Sequence, residues 1–391
     1  MEIRSVTLFT EPDSLSDTLQ QFIKTARDAF HARVQTMRLA TTPFPDWMQD
    51  MTQISALVEG WQTNGIDYIS LGPVLQRHTA EWLDSLLNIV AANDAVFGSV
   101  EIADQHGTID LERNRATARL VRQLSTTHPN GFGNLYVTAI ANCPPNTPFF
   151  PVAYHAGGAP AFAIATESAD LAVTAFSGAN SLEEARTRLI ELIEHEAALI
   201  SGVAERLSAE FDLPFLGIDF SLAPFPTDDK SIGGALEALG TAQLGTSGSL
   251  FAAAFTTEAI QRANFKQCGF NGLMLPVLED SVLAIRAAEG QLAVSDLLSY
   301  SAVCGVGLDT VPLPDDTSED TLTGILLDVA ALATRLNKPL TARLMPMPGK
   351  KAGDPITFDF PYFADSRVMS VPQTHTIPAD KSGTITLQAY H

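Results

Sequence analysis

The sequence predicts an α/β protein: a mainly parallel β-sheet of about ten strands, covered by helices and closed or nearly closed into a large β/α barrel. Three observations predict it. Short β-branched or apolar runs alternate with longer helical periods along the chain. There are more such runs than a simple doubly wound domain carries. No internal repeat, low-complexity segment or convincing linker interrupts the 391 residues, so 1–373 are expected to form one barrel domain, with 374–391 as a C-terminal extension.

The elements follow in order. "IRSVTLFT" (3–10) reads as a strand, then helical spacing runs from about Ser14 to Phe30. "RVQTMRLA" (33–40) is the second strand, Asp46 to Asn64 is helical, and "IDYISLGP" (66–73) is a strand ended by Gly72-Pro73. The series continues with strands at 95–103, 134–142, 161–168, 213–224, 271–279, 301–309 and 340–349. Helices at 181–209 and 320–336 have clear amphipathic spacing. Ser181 followed by Glu184 has the spacing of a capping box, and the acids suit the positive helix end.

Composition narrows the function classes. With 46% apolar and 18% charged residues, the chain is globular rather than disordered. The net charge of −21 and the lack of any Lys/Arg cluster argue against nucleic acid and anionic membrane surfaces as partners. Three scattered cysteines, with no C-x-x-C, fit a reducing cytoplasm rather than a disulfide framework or a zinc ribbon. No apolar run reaches signal-peptide or membrane-spanning form, so a cytoplasmic protein is expected.

In parallel α/β folds ligands sit beyond the carboxyl ends of strands, and several candidates lie where apolar runs end. Asp219, inside "LGIDFSLAPFP", needs a partner for a buried carboxylate, either a neighbouring backbone or a ligand. His155 precedes Gly157-Gly158, where it could act as acid, base or metal ligand or simply occupy a loop. In "NGLMLPVLEDS", Asp280 or Ser281 would cap the next helix. Lys350, Lys351 and Asp354 lie in the glycine-bounded turn "PMPGKKAGDP", suited to an anion or to plain solvation. "SAVCGVGLDTVPLPDDTSED" holds Cys304, Asp309, Asp315 and Asp316, and Thr317 or Ser318 would start the following helix. Gly305-Val306-Gly307 lacks the third glycine of a dinucleotide fingerprint, so NAD is not expected.

Taken together, "GIDFSLAPFP", "GFNGLMLPVLEDSVLA", "LLSYSAVCGVGLDTVPLPDDTSEDTLTGILLD" and "TARLMPMPGKKAGDPITFDFPYF" resemble the DUF711 family, also called UPF0210, over about residues 1–370. "IRSVTLFT" and "PPNTPFFPVAYHAGGAPAFAIATESADL" resemble one branch of it. The resemblance brings no established biochemical function. It implies a fold: a ten-stranded barrel related to those of pyruvate formate-lyase and anaerobic ribonucleotide reductase. In those distant relatives a barrel cysteine works with a C-terminal glycyl radical. Here Arg367-Val368 is followed by Met369-Ser370 without the glycine, so neither a glycyl-radical domain nor a glycyl radical is expected. Two departures stand out: Asp315 where the family commonly has glycine, and "DFPYFADS" in place of a glycine-rich segment of the other branch, so a ligand shared by both branches does not follow from the resemblance.

The leading functional expectation is an enzyme acting on a small polar or anionic metabolite at the strand ends. Asp309 and Asp219 would be base or metal ligands, with His155 and Cys304 beside them; Asp316, Thr317, Lys350, Lys351 and Asp354 would hold the ligand. An oxygen-rich set would suit a divalent metal such as Mg²⁺ or Ca²⁺. The competing expectation is a non-catalytic sensor of an amino-acid-like molecule, since some family members sit beside an ACT-type regulatory protein. Either form could be a homo-oligomer.

Overall fold

Continuous apolar runs, buried on both faces, make most of the strands, as expected where helices cover a sheet. The structure is a computed structural model and describes residues 1–240, 243–374 and 383–390. Its strands are β1 (Glu2–Phe9), β2 (Val34–Ala40), β3 (Tyr68–Val74), β4 (Val96–Ala103), β5 (Thr108–Asp110), β6 (Val137–Ala141), β7 (Ala161–Glu167), β8 (Phe215–Ala223), β9 (Gly307–Pro314), β10 (Leu340–Met347), β11 (Pro355–Ile356), β12 (Ser366–Arg367) and β13 (Thr384–Thr386). Among the described residues eleven of these form one sheet, ordered β8-β7-β1-β2-β3-β4-β6-β10-β9, with β5 beside β4 and β13 beside β5. β11 and β12 pair separately as a short antiparallel hairpin.

Strand direction divides the sheet into blocks. β1, β2, β3, β4 and β6 run parallel to one another. β7 and β8 are parallel to each other, as are β9 and β10, but β7 is antiparallel to β1 and β10 is antiparallel to β6. The reversal arises between β6 and β7, where residues 142–160 contain no helix. A parallel return needs a crossover element, so without one the chain comes back in the opposite sense.

By ladder hydrogen bonds the sheet is open, with β8 and β9 as its ends. The strand expected at 271–279 is irregular. That stretch and the residues just before it make one parallel bridge to each end strand, Gln267 to Ile218 of β8 and Pro276 to Asp309 of β9. Backbone crowding explains the irregularity: a Cβ on Gly272 would lie 2.1 Å from the Cα of Gly305. The expected strand at 301–309 also shifts. A helix spans Val294–Ser301, Cys304 N donates to Tyr300 O at 2.8 Å, and β9 begins only at Gly307.

The helices begin as side-chain chemistry dictates. Ser181 caps Leu182–Phe211 through Glu184 N, but the Glu184 carboxylate reaches Asn180 N rather than Ser181 N. Asp280 caps Ser281–Ala288 and Ser318 caps Glu319–Arg335. One contiguous apolar cluster, from Ile3 to Met369, joins all the blocks. Among the described residues no helix is long and apolar enough to cross a membrane.

Candidate functional site

Two irregularities in the sheet aim charged side chains into one cavity. In β1, Arg4 is an extra residue between Ile3 and Ser5, which face the adjacent Thr166 and Ala165 of β7. In β9, Asp309 and Thr310 together oppose Arg343 of β10, because the register shifts between Ala342 and Leu344. Such bulges re-aim side chains next to functional sites. Thr310 takes the left-handed conformation (φ 43°) that a β-branched residue rarely adopts, so the second bulge carries strain.

The cavity has a volume of about 150 Å³. Its wall takes the amino-terminal parts of β1 to β4 and of β9 (Arg4, Thr36, Tyr68, Phe97, Asp309), the middle of β10 (Arg343) and the carboxyl end of β8 (Ala223). Carboxyl ends alone therefore do not define it.

Within the wall, Arg343 donates to Asp309 Oδ1 (2.5 Å), Glu279 Oε1 (2.8 Å) and the Leu135 carbonyl (3.3 Å). Arg4 donates to Glu279 Oε2 (2.7 Å) and Glu167 Oε2 (3.2 Å), and Lys230 closes the row on Glu167 and Glu2. Burial works against the Arg343 charge, yet Asp309 and Glu279 hold its pKa above the ordinary value. Burial raises the Asp309 carboxyl, and Glu279 adds to the rise against the pull of Arg343. Asp309 Oδ2 has no hydrogen-bond partner among the described residues.

Arg38 is different. Its Nε donates to Thr36 Oγ1 (2.9 Å), and the guanidinium lies 5.0 Å from the centre of the Phe150 ring and 5.9 Å from that of Tyr68. Its two terminal nitrogens have no partner, and no carboxylate pairs with it, among the described residues. Burial first, and then the positive charge of Arg4, draw its pKa down to about 9. The wall thus contains one guanidinium fork whose terminal nitrogens make no hydrogen bond or ion pair among the described residues, with Glu279 and Asp67 acting on it only from a distance.

Comparison with known proteins gives this geometry a family. A model of uncharacterised proteins, "Uncharacterised ACR (DUF711)", matches residues 1–365. A UPF0210 protein of Pyrobaculum arsenaticum is 31% identical over 88% of this chain and 81% of its own length. This chain belongs to the DUF711 family. A UPF0210 protein of Clostridium perfringens is 26% identical over 88% of the chain and 82% of its own, and one of Neisseria meningitidis is 28% identical over 70% and 62%.

Of the residues singled out in this DUF711 sequence, Asp309 and the candidate metal carboxylate Glu279 line the cavity. Asp219 is fully buried and closed off: Oδ2 accepts from Phe270 N (2.7 Å), and Oδ1 accepts from Asn271 N (3.1 Å) and Ser221 Oγ (2.5 Å). Cys304 packs in the core, where burial raises its thiol pKa, and Lys338 Nζ donates to its carbonyl rather than to sulfur. His155 is buried beyond the other end of β2, with its backbone N–H on Thr41 O, Nε2 at 3.4 Å from Gly158 O and Nδ1 unpartnered; burial lowers its pKa. The 348–354 turn is held by its own acids. Gly349 N donates to Asp315 (2.9 Å) and Lys351 N to Asp354 (2.7 Å), so the backbone donors that would meet an anion are taken, while Lys351 is exposed and Lys350 half-buried. Asp316 is exposed, and the Thr317 hydroxyl donates to Pro314 O.

The carboxylates at 219, 279, 280, 309, 315 and 316 do not gather. Among the described residues no group of three His, Cys, Asp or Glu side chains could surround a metal ion. Glu279 and Asp309 each face guanidinium groups, which would repel a cation placed between them.

Arg4, Arg38 and Arg343 were missed. Each sits in an otherwise apolar strand-like run: "IRSVTL", "VQTMRLA", "LTARLMP". The rule that singled out Asp219, a charge inside a buried run, would have found them had it been applied to arginines.

Proposed function

We propose that this DUF711 protein is an enzyme acting on a small organic anion, bound by Arg38 and worked on by Asp309. The observation that carries the reading is the Arg38 fork, which lines the cavity with both terminal nitrogens unpartnered among the described residues. A carboxylate there would take both terminal nitrogens in a bidentate pair beside the Phe150 and Tyr68 rings. Asp309 supplies the proton-transfer group: one oxygen is fixed by Arg343, the other is free, and the raised pKa brings it closer to neutral working range. Arg343, Glu279 and Arg4 act as positioning residues for it. In this reading, residues 267–276 close the sheet between β8 and β9, completing a ten-membered barrel around the cavity.

The test is incubation with a pool of small carboxylic acids, followed by NMR. Wild-type protein is expected to bind and convert one of them; Asp309→Asn should bind it unchanged, and Arg38→Gln should do neither. Binding without conversion by the wild-type would favour a small-molecule-binding sensor instead. Undiminished binding by Arg38→Gln would overturn both readings.

A further inference from the structure

Resting on that reading, we infer that the bound acid is an aromatic monocarboxylate, a single flat ring carrying one negative charge. Three observations support it.

The first is charge. Arg343 is hydrogen-bonded at all three nitrogens, to Asp309, Glu279 and the Leu135 carbonyl, and Arg4 is divided between Glu279 and Glu167. Lys230 is held by Glu2 and Glu167. One guanidinium, Arg38, keeps both terminal nitrogens without a hydrogen-bond partner among the described residues, so the wall offers one bidentate seat, for one carboxylate. A dianion would bring a second charge towards Glu279 and Asp309, with no cation to meet it.

The second is size. The cavity, partly open and lined by both charged and aromatic side chains, has a volume of about 150 Å³, enough for a molecule the size of benzene.

The third is the surface. The wall beyond Arg38 is largely aromatic: Phe97, Tyr136, Phe149, Phe150, Phe360 and Tyr362. These rings are locked at steep angles to their neighbours, Phe97 against Phe150 (5.5 Å, 62°) and Phe132 against Phe360 (5.0 Å, 80°). Fixed rings meeting edge to face leave a slot that favours another ring, offset or edge-on, over a branched aliphatic body. Phe360 and Tyr362 come from the loop of the β11–β12 hairpin, the segment "DFPYF". That loop roofs the cavity, and Phe360 packs on Phe132 and Phe363 within its own small apolar cluster. Selectivity for the ring is assigned to this roof, and recognition of the charge to Arg38.

Titration calorimetry on the whole chain tests the inference, with benzoate, cyclohexanecarboxylate, acetate, phthalate and inorganic phosphate as probes. Benzoate is expected to bind at least tenfold more tightly than each of the others. Phe360→Leu should weaken benzoate at least fivefold and leave acetate unchanged. Equal binding of acetate, phosphate or cyclohexanecarboxylate to the wild-type, lost in Arg38→Gln, would sink the ring inference and leave the anion site standing. If no probe binds, or if binding survives Arg38→Gln, the anion site itself fails. The wild-type probe series decides the matter even if Phe360→Leu does not fold.

Discussion

Two buried aspartates, Asp219 on β8 and Asp309 on β9, meet the cost of burial in different ways. Asp219 is enclosed by two backbone N–H groups and a hydroxyl from its own neighbourhood, and it ties the 269–272 loop to the strand. Asp309 is held at one oxygen by an arginine that also serves Glu279, and its other oxygen is left open beside a cavity. A carboxylate whose hydrogen bonds are complete is a fastening. One with a free oxygen, lining the same cavity as the unpartnered fork of Arg38, is a place where another molecule can complete the set.

The comparison is broken or sharpened most strongly at Arg343. Arg343→Met leaves Glu279 without one of its two cations and Asp309 without its only one, and should cost about 3–5 kcal/mol in denaturant unfolding. A loss below about 1 kcal/mol would mean that the network does not hold the wall. Next comes Asp219→Asn, which turns an NH₂ towards an N–H donor and should cost about 1–3 kcal/mol while leaving benzoate affinity unchanged.

The same residue gives a pH signature. Burial lifts the Asp219 carboxyl from 3.8 to about 6 in the folded chain. Between those values the folded protein keeps a proton that the unfolded chain has released, so this contribution to stability falls as pH rises through the window. Asp219→Asn should remove that part of the slope; an unchanged slope would assign it to another group. The smallest effect is expected at the exposed turn. Lys351→Ala should change stability by no more than about 0.5 kcal/mol and leave anion affinity unaltered. A marked loss of binding there would return attention to the glycine-bounded turn.

Much of the scaffold was legible because it depends on local chemistry. Ser181, Asp280 and Ser318 start helices where their side chains predict, and the apolar runs at 33–40, 95–103 and 161–168 become strands within a residue or two. Family membership was legible as well, through long motifs in fixed order. The cavity was not, for physical reasons. Its charged residues are aimed by bulges at Arg4 and at Asp309-Thr310, and a bulge is defined by the partner strand, not by its own sequence. The reversal of β7 removed the premise that a site lies at carboxyl ends, since half of the wall is made of amino-terminal parts. Cys304 and the acidic run after it drew attention by composition, yet the thiol packs in the core, Asp315 holds a turn, and Glu319 and Asp320 occupy the first turn of the helix that Ser318 caps.

The wall of the cavity runs from Arg4 to Tyr362 and takes residues from strands of opposite direction. No fragment of the chain holds a usable part of it. Contacts so distant in sequence form late and slowly in folding, so the binding place comes into being only with the completed structure. A molecule seated on Arg38 therefore acts as a rivet between two opposed sets of strands. Its binding energy is shared by the whole molecule and resists unfolding everywhere at once.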